Sequence, residues 1–394
     1  MLDGTPRTPD ALRDYNRARV LTALRSELAG NRAELCAVTG LARSTVTGLV
    51  AELLADGVVM EGEDPGSGTP AGNLSRRAGR PARRLMPVPR SDLVVAIDFG
   101  HSHCQIGIVD AQSRVLVAEW ESLDVDSSAD LALEHARRRI GALLDQLGAD
   151  RSRVVAAGIG LPAPVNGITG MVGPGNILPG WVDRHPAEEL RSALGFPVVI
   201  DNDANLGALG EIACGAARGF ADVIYVKVST GIGAGMVLGG RLYRGSTGRA
   251  GEIGHVPVDA AGALCRCGNR GCLETVVSVS QVLALMQPAH DRVLSMAGVV
   301  ELVRAGDAGA SRVLADTGRI LGRVLADLVN NLNPEVLVLG GELSLAGEPL
   351  LAGVRESLDR FAQPGIVRDL RLRVSELAET AQLHGAAVLA LASQ

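Results

Sequence analysis

GEIGHVPVDAAGALCRCGNRGCLE, residues 251–274, places His255, Cys265, Cys267 and Cys272 within 18 positions. One imidazole and three thiols make a complete tetrahedral set for zinc, with no position left for a catalytic water. A Zn2+ ion held this way is expected to be structural. It would hold the loop Gly268-Asn269-Arg270-Gly271 and fix the orientation of His255. Clustered reduced cysteines without a metal are the alternative. Cys36, Cys104 and Cys214 stand apart and read as core fillers or inert surface thiols. Six cysteines in 394 residues do not form a disulfide scaffold.

On both sides of this loop the chain alternates apolar runs with helical patterns. Leu93–Ile97 is a continuous apolar run, a buried strand, and it ends at Asp98-Phe99-Gly100-His101-Ser102-His103. Further strands are expected at Cys104–Val109, Val154–Gly160, Val198–Ile200, Val223–Val228, Gly233–Leu238 and Val336–Leu339. Helices are expected over 129–147, 276–287, 311–330 and 381–392. This alternation implies an α/β body with mixed sheets and its chemistry at strand ends. Hydrophobic residues are 47% and charged residues 21%, which excludes global disorder, and with aromatics at only 2% the core must be Val, Leu, Ile and Ala. No apolar run reaches the ~18 residues of a membrane span. The start MLDGTPRTPD lacks a basic-then-apolar signal pattern, so a cytoplasmic location and no membrane partner are expected.

The first ninety residues differ in charge. They carry 13 arginines against 10 acidic residues, whereas the remainder carries 25 basic and 34 acidic residues. A mildly basic head on an acidic body suits one module near a polyanion. Residues 17–29 place Val20, Leu21, Leu24 and Leu28 on one helical face. A short helix fits Arg32–Thr39 with Leu35 and Val38 inward, and after Gly40 a third runs from Arg43 to about Ala55. Two short helices joined through a glycine turn predict a helix-turn-helix. Arg43, Ser44, Thr45 and Thr47 face outward, with chemistry suited to base edges and phosphates in a major groove. Val58–Glu61 and Arg83–Val88 would be the strands of a long wing. Arg76, Arg77, Arg80, Arg83 and Arg84 populate it, with Gly79-Arg80-Pro81 placed to enter a minor groove. A small three-helix interaction module is the alternative for this segment, and a solvated loop is the alternative for the arginine run. Lys227 is the only lysine and reads as a mark of genome composition.

The run Gly251-Glu252-Ile253-Gly254-His255, followed by Cys265-Arg266-Cys267-Gly268-Asn269-Arg270-Gly271-Cys272-Leu273-Glu274, resembles the signature of the ROK family (repressors, open reading frames and sugar kinases). Asp201-Asn202-Asp203-Ala204-Asn205 resembles its sugar-site motif, Ser229-Thr230-Gly231-Ile232-Gly233 its second phosphate loop, and Gly340-Gly341 its adenosine motif. The resemblance covers about 91–394, and the head resembles the family's regulator branch. It implies an actin-like ATPase fold of two ribonuclease-H-like lobes behind a winged helix-turn-helix. Residues 1–90 would be the DNA-binding domain. Residues 91–201 plus about 380–394 would be the first lobe, and 202–379 the second, with the zinc loop. Asp203 matches the catalytic base, here vestigial or sugar-binding. Asn202, Glu252, His255 and Glu274 match ligands of the sugar hydroxyls. Asn176 and Trp181 fall where the family places a loop beside the sugar. From the residues alone, Asp203 and Glu252 could equally be capping or loop-bonding groups.

The nucleotide site departs from the family pattern. Family kinases have Asp-x-Gly-Gly-Thr in the first phosphate loop, and this chain has Asp98-Phe99-Gly100-His101-Ser102. A bulky imidazole stands where a bare Cα is expected. Asp98, Gly100, Thr230, Gly231, Gly233, Gly340 and Gly341 therefore outline a degenerate nucleotide site, and ATP with Mg2+ is a doubtful cofactor. The resemblance implies a sugar-responsive transcriptional regulator, a repressor of carbohydrate genes and not an enzyme. It would take a sugar or sugar phosphate in the cleft and bind a double-stranded operator as a homodimer or homotetramer. The alternative is an ATP-dependent, glucokinase-like sugar kinase, or a protein with both activities.

Overall fold

The computed structural model describes residues 9–25, 28–62, 84–87, 92–166, 169–172 and 177–394. The chain divides into two compact units, Met1–Arg90 and Ser91–Gln394. Among the described residues no helix is long and apolar enough to cross a membrane.

In the first unit, helices α1 (Pro9–Arg25), α2 (Arg32–Thr39) and α3 (Arg43–Ala55) precede an antiparallel pair, β1 (Val59–Gly62) and β2 (Arg84–Pro87). Asn31 caps α2 by accepting from the backbone of Ala33 and Glu34, and Gly40 ends it at φ +67°, a conformation that favours glycine. Val20, Leu24, Leu35, Val46, Leu49, Val50, Leu53, Val59 and Leu85 form the core of this unit. Two expectations fail here. Leu28 lies beyond the end of α1 and is 52% exposed, and Val38 is 47% exposed. Thr39 takes the inward place on α2, because its hydroxyl is satisfied by the Leu35 carbonyl and the side chain can turn into the core. The arginines of the expected wing, Arg76, Arg77, Arg80 and Arg83, fall outside the described residues.

The second unit holds two five-stranded sheets of the same design. The first contains β3 (Leu93–Phe99), β4 (His103–Asp110) and β5 (Val115–Ser122). After α4 (Ala129–Gln146) it continues with β6 (Val154–Leu161), α5 (Pro186–Leu194) and β7 (Val198–Asn202). Its order is β5-β4-β3-β6-β7. After α6 (Asp203–Cys214) comes the second sheet, with β8 (Val223–Val228), β9 (Ile232–Leu238) and β10 (Arg241–Leu242). Four helices follow: α7 (Glu274–Val277), α8 (Val279–Met286), α9 (Met296–Arg304) and α10 (Ala308–Leu332). Then come β11 (Val336–Gly340), α11 (Glu348–Phe361), α12 (Pro364–Asp369) and β12 (Arg371–Val374), and α13 (Ala381–Ala392) closes the chain. The order of this sheet is β10-β9-β8-β11-β12. In each sheet three strands form an antiparallel meander, and two more add in parallel on the other side of the first strand. The turn after the first strand therefore occupies the same place in both sheets. These turns are residues 100–102 and 229–231.

Helix α6 lies between the sheets. Leu206 joins the core that α13 makes with β3 and β6, and Ala208 joins the core beneath β8 and β11. Both contacts are backbone-close. A Cβ on Gly385 would lie 1.8 Å from the Leu206 carbonyl oxygen, one on Gly210 would lie 2.1 Å from that of Ala381, and one on Gly207 would lie 2.2 Å from the Tyr225 ring. The expected helix over 276–287 is broken at Ser278, which is extended, because the Val279 N–H turns aside to the Ser229 carbonyl at 3.0 Å.

Adding one methyl group at a packed glycine and at an open one separates crowding from helix propensity. Gly385→Ala is expected to lower the urea midpoint by the equivalent of about 1–3 kcal/mol through overpacking. Gly141→Ala, with nothing within 4 Å of the new Cβ inside α4, is expected to raise stability by about 0.5–1 kcal/mol. Equal effects at the two positions would refute the close-packing account.

Candidate functional site

The two equivalent turns face one cleft. It is lined by Gly100, His101 and His103 from the first turn and by Asn202 and Asp203 at the start of α6. The far wall has Lys227, Ser229, Thr230, Gly231 and Gly233, and the floor has Glu252, His255, Arg266 and Glu274. The expected sugar-motif residues are thus together. Each is positioned by a local cause. The Asn202 Oδ1 caps α6 by accepting from the backbone of Ala204 (2.9 Å) and Asn205 (3.3 Å), while its Nδ2 donates to the Ala163 carbonyl at 3.3 Å. Gly251 has φ +98°, and a Cβ there would lie 1.9 Å from the Ala234 carbonyl oxygen; this tight approach to β9 sets the place of Glu252. Burial, followed by the charges of Asp203 and Glu274, pushes the Glu252 carboxyl up to about 7.

His255 ends a short helical turn, Ile253–His255. Its Nδ1 lies 3.5 Å from the Cys265 Sγ, and its Nε2 lies 3.6 Å from a Glu252 oxygen. One ring nitrogen thus faces the cysteines and the other faces the cleft. The Cys267 and Cys272 sulfurs are 3.7 Å apart, and all four ligand atoms lie within 4.8 Å of one another. A tetrahedral zinc with bonds of about 2.3 Å to sulfur and about 2.0 Å to nitrogen requires edges of about 3.5–3.8 Å. Two of the pairs have these values and the widest, at up to 4.8 Å, would close by about 1 Å around an ion, so the chemistry and placement of the donor set suit a metal such as zinc. The loop that carries it is closed by backbone bonds, Cys265 N–H to the Asn269 carbonyl at 2.7 Å and Gly268 N–H to the Cys265 carbonyl at 3.0 Å. Glu274 at the start of α7 backs the cluster, with Oε1 3.7 Å from the His255 Nδ1. Of the isolated cysteines, Cys104 is buried and Cys36 and Cys214 are half-buried.

Side chains crowd the two turns that were expected to cradle phosphates. The Gly100 N–H is already donated to the His103 carbonyl at 2.9 Å, and a Cβ on Gly100 would lie 2.0 Å from the His103 ring. His103 is stacked on Trp120, with ring centroids 5.7 Å apart. The His101 ring leans over the second turn, 3.4 Å from where a Gly231 Cβ would be. The Ser229 hydroxyl accepts the Glu342 N–H at 3.1 Å and closes the gap toward Gly341. The His101 Nδ1 is 2.7 Å from Asp126, and Arg266 reaches both across the cleft, at 3.3 Å and 3.5 Å.

Sequence reasoning missed Lys227. Far from being a compositional accident, it is buried at the end of β8, with Nζ 2.8 Å from the Asp203 Oδ2. Burial works against its charge, but Asp203 and then Asp98 hold the ammonium protonated well above the ordinary lysine range. Burial likewise opposes ionisation of Asp98, yet the Lys227 charge and His103 outweigh it and keep that carboxyl below its usual value. The signal was available: the single lysine lies two residues before the second turn. Trp181 is corrected in the other direction. It is fully buried in the first sheet's core against Phe99 and donates to the Val125 carbonyl at 2.7 Å, because an indole needs only one polar partner to be core. It does not line the cleft. Asn176 lies outside the described residues.

A cleft between twinned sheets, with a Cys3His cluster in its floor, is a narrow specification. The ROK family model matches residues 94–393, and the chain belongs to the ROK family. The xylose repressor of Bacillus subtilis (strain 168) is 28% identical over 356 residues, which cover 90% of this chain and 89% of that protein. The crystal structure of a ROK family transcriptional regulator, a homologue of the Escherichia coli Mlc protein, superposes with a TM-score of 0.76 at 26% identity and covers 96% of each chain. A ROK family glucokinase from Streptomyces griseus, solved with glucose and AMPPNP, gives a TM-score of 0.66 at 30% identity and covers 76% of this chain and 99% of its own.

Elemental analysis of the purified protein is expected to find one zinc per chain. Cys267→Ser and Cys272→Ser should each lose it and lower Tm by several degrees. A metal-free wild-type chain as stable as the zinc-treated one would show that the cluster holds no structural ion.

Proposed function

We propose that the chain is a sugar-responsive, DNA-binding transcriptional regulator, a repressor of carbohydrate uptake or metabolism genes. The observation that carries this reading is coverage. The regulator relatives match across both units, whereas the glucokinase match spans a share of the chain no larger than the second unit.

In this reading α2, the Gly40 turn and α3 are a helix-turn-helix, and β1 and β2 are the root of a wing. Arg43, Ser44, Thr45 and Thr47 are all exposed, while Val46, Leu49, Val50 and Leu53 on the opposite face are buried. That leaves one polar face of α3 for a major groove, with wing arginines including Arg80 on the backbone or minor groove. A two-fold operator then asks for a homodimer or homotetramer. In the body, residues 91–201 with 380–394 act as one lobe and 202–379 as the other. Asn202, Asp203, Glu252, His255 and Glu274 would take the hydroxyls of a sugar or sugar phosphate, since carboxylates and amides bind vicinal hydroxyls in pairs. Zinc on His255, Cys265, Cys267 and Cys272 would supply rigidity to that floor. The ligand shifts DNA affinity only by its differential affinity for the two states of the body, and about 2 kcal/mol of coupling is about 30-fold.

Selection of random duplexes by the full-length protein is expected to enrich a two-fold-symmetric motif. Arg43→Ala with Thr45→Ala should weaken binding to it at least tenfold, on the basis of about 1–3 kcal/mol per lost base contact. The same pair should leave the thermal shift caused by a stabilising sugar unchanged. Full operator affinity in the double variant would remove α3 as the reading helix.

A further inference from the structure

Three charged side chains meet where the two turns converge, and the sugar-site reading uses only one of them. The Lys227 Nζ is 2.8 Å from the Asp203 Oδ2, with both side chains about nine-tenths buried. On the other side of Lys227 a second cavity continues past Asp98, His103 and Trp120. Asp98 is 2% exposed; its Oδ2 is 3.6 Å from the His103 Nε2, and its Oδ1 is buried with no hydrogen-bond partner among the described residues. Two carboxylates at low dielectric require positive charge between them. In a phosphoryl-transfer site that charge comes from a divalent ion. Here a side chain supplies it.

We propose that Lys227 is a resident cation: its ammonium takes the place a divalent ion would need between Asp98 and Asp203, so the cleft holds its ligand without a metal–nucleotide and transfers no phosphoryl group. Three physical consequences support the assignment. A charge tethered to β8 cannot diffuse away, so it outcompetes a free ion of similar position. A divalent ion added beside it would meet like-charge repulsion. An Asp203 oxygen that already accepts from an ammonium at 2.8 Å is a poor acceptor for a sugar hydroxyl's proton. The His103 ring over Gly100 and the Ser229 hydroxyl beneath Gly341 fill the adjoining phosphate positions, so the exclusion is steric as well as electrostatic. The inference does not depend on the first unit binding DNA or on which sugar enters.

The test is Mn2+ binding to zinc-replete, full-length protein, read by electron paramagnetic resonance. Wild type and Lys227→Arg are expected to bind no Mn2+ in the cleft. Lys227→Met is expected to gain one Mn2+ site per chain that Mg2+ displaces, and Asp98→Asn added to it should abolish that site. A Mn2+ site in wild type that Asp98→Asn removes would overturn the proposal, as would a folded Lys227→Met that gains none. A second measurement needs no variant. With 15N-lysine the wild type gives a single side-chain ammonium resonance, because there is one lysine. That signal should be unmoved and unbroadened by Mn2+ with or without ATP, and paramagnetic broadening would overturn the assignment. Failure of every sugar to stabilise the protein would count against the functional reading and leave these metal outcomes unaffected.

Discussion

The closeness with which α6 approaches what lies on either side of it governs the body of this protein. One side meets α13 through Gly210 and Gly385, and the other meets β8 and β9 through Gly207 and Gly235. Toward α13 and β9 the approach is backbone to backbone, and toward β8 Gly207 leaves room for the Tyr225 ring, so these glycines set how closely the two sheets approach the helix. The helix also carries function at its first residue. Asp203 stands at its N-terminus, and the end of β7 feeds directly into it through the Asn202 cap. Positioning the carboxylate and joining the sheets are therefore one structural problem with one solution. The helix is also tied at its far end, where buried Glu211 accepts from the backbone of Ala216 at 2.7 Å and of Leu377 at 3.2 Å, and from the Ser375 hydroxyl.

The cleft that results is electrostatically closed before any ligand arrives. Asp98 and Asp203 share Lys227, and Asp126 shares His101 and Arg266. Glu252, His255 and Glu274 are tied to one another and to Cys265 beside the cysteine cluster. One end of the cleft is thus lined by carboxylates and an imidazole beside the cysteines, and the other by histidine rings and an ammonium.

Much of this was legible in the residues. The Cys3His spacing and the strand-end carboxylates depend on local order; the structure gathers the four cysteine-cluster residues together and places His255 and Asp203 on one cleft, with Asp98 on the cavity that adjoins it past Lys227. Long amphipathic elements such as α4 and α10 were also clear, since each has one apolar face. Helix α6 was not legible: it is buried on nearly all sides and holds two glycines, so it has no period to read. Strand β5 alternates between half-buried and exposed residues, and its polar members hid it. Leu28 and Val38 misled because apolar residues on short helices need not be inward. Lys227 was dismissed because a lone residue carries no pattern; its meaning comes from Asp98 and Asp203, which lie 129 and 24 positions away in the chain.

Arg266 sits between two of the cysteine ligands, yet its guanidinium ends on the opposite wall. Its contacts to His101, Asp126 and the Ile177 carbonyl are 3.3 Å, 3.5 Å and 3.5 Å long. Partly exposed pairs of this length contribute about 0–1 kcal/mol each. The clasp is therefore weak by construction, anchored firmly at the cysteine end and loosely at the other. This contact adds little resistance to parting the two walls it joins.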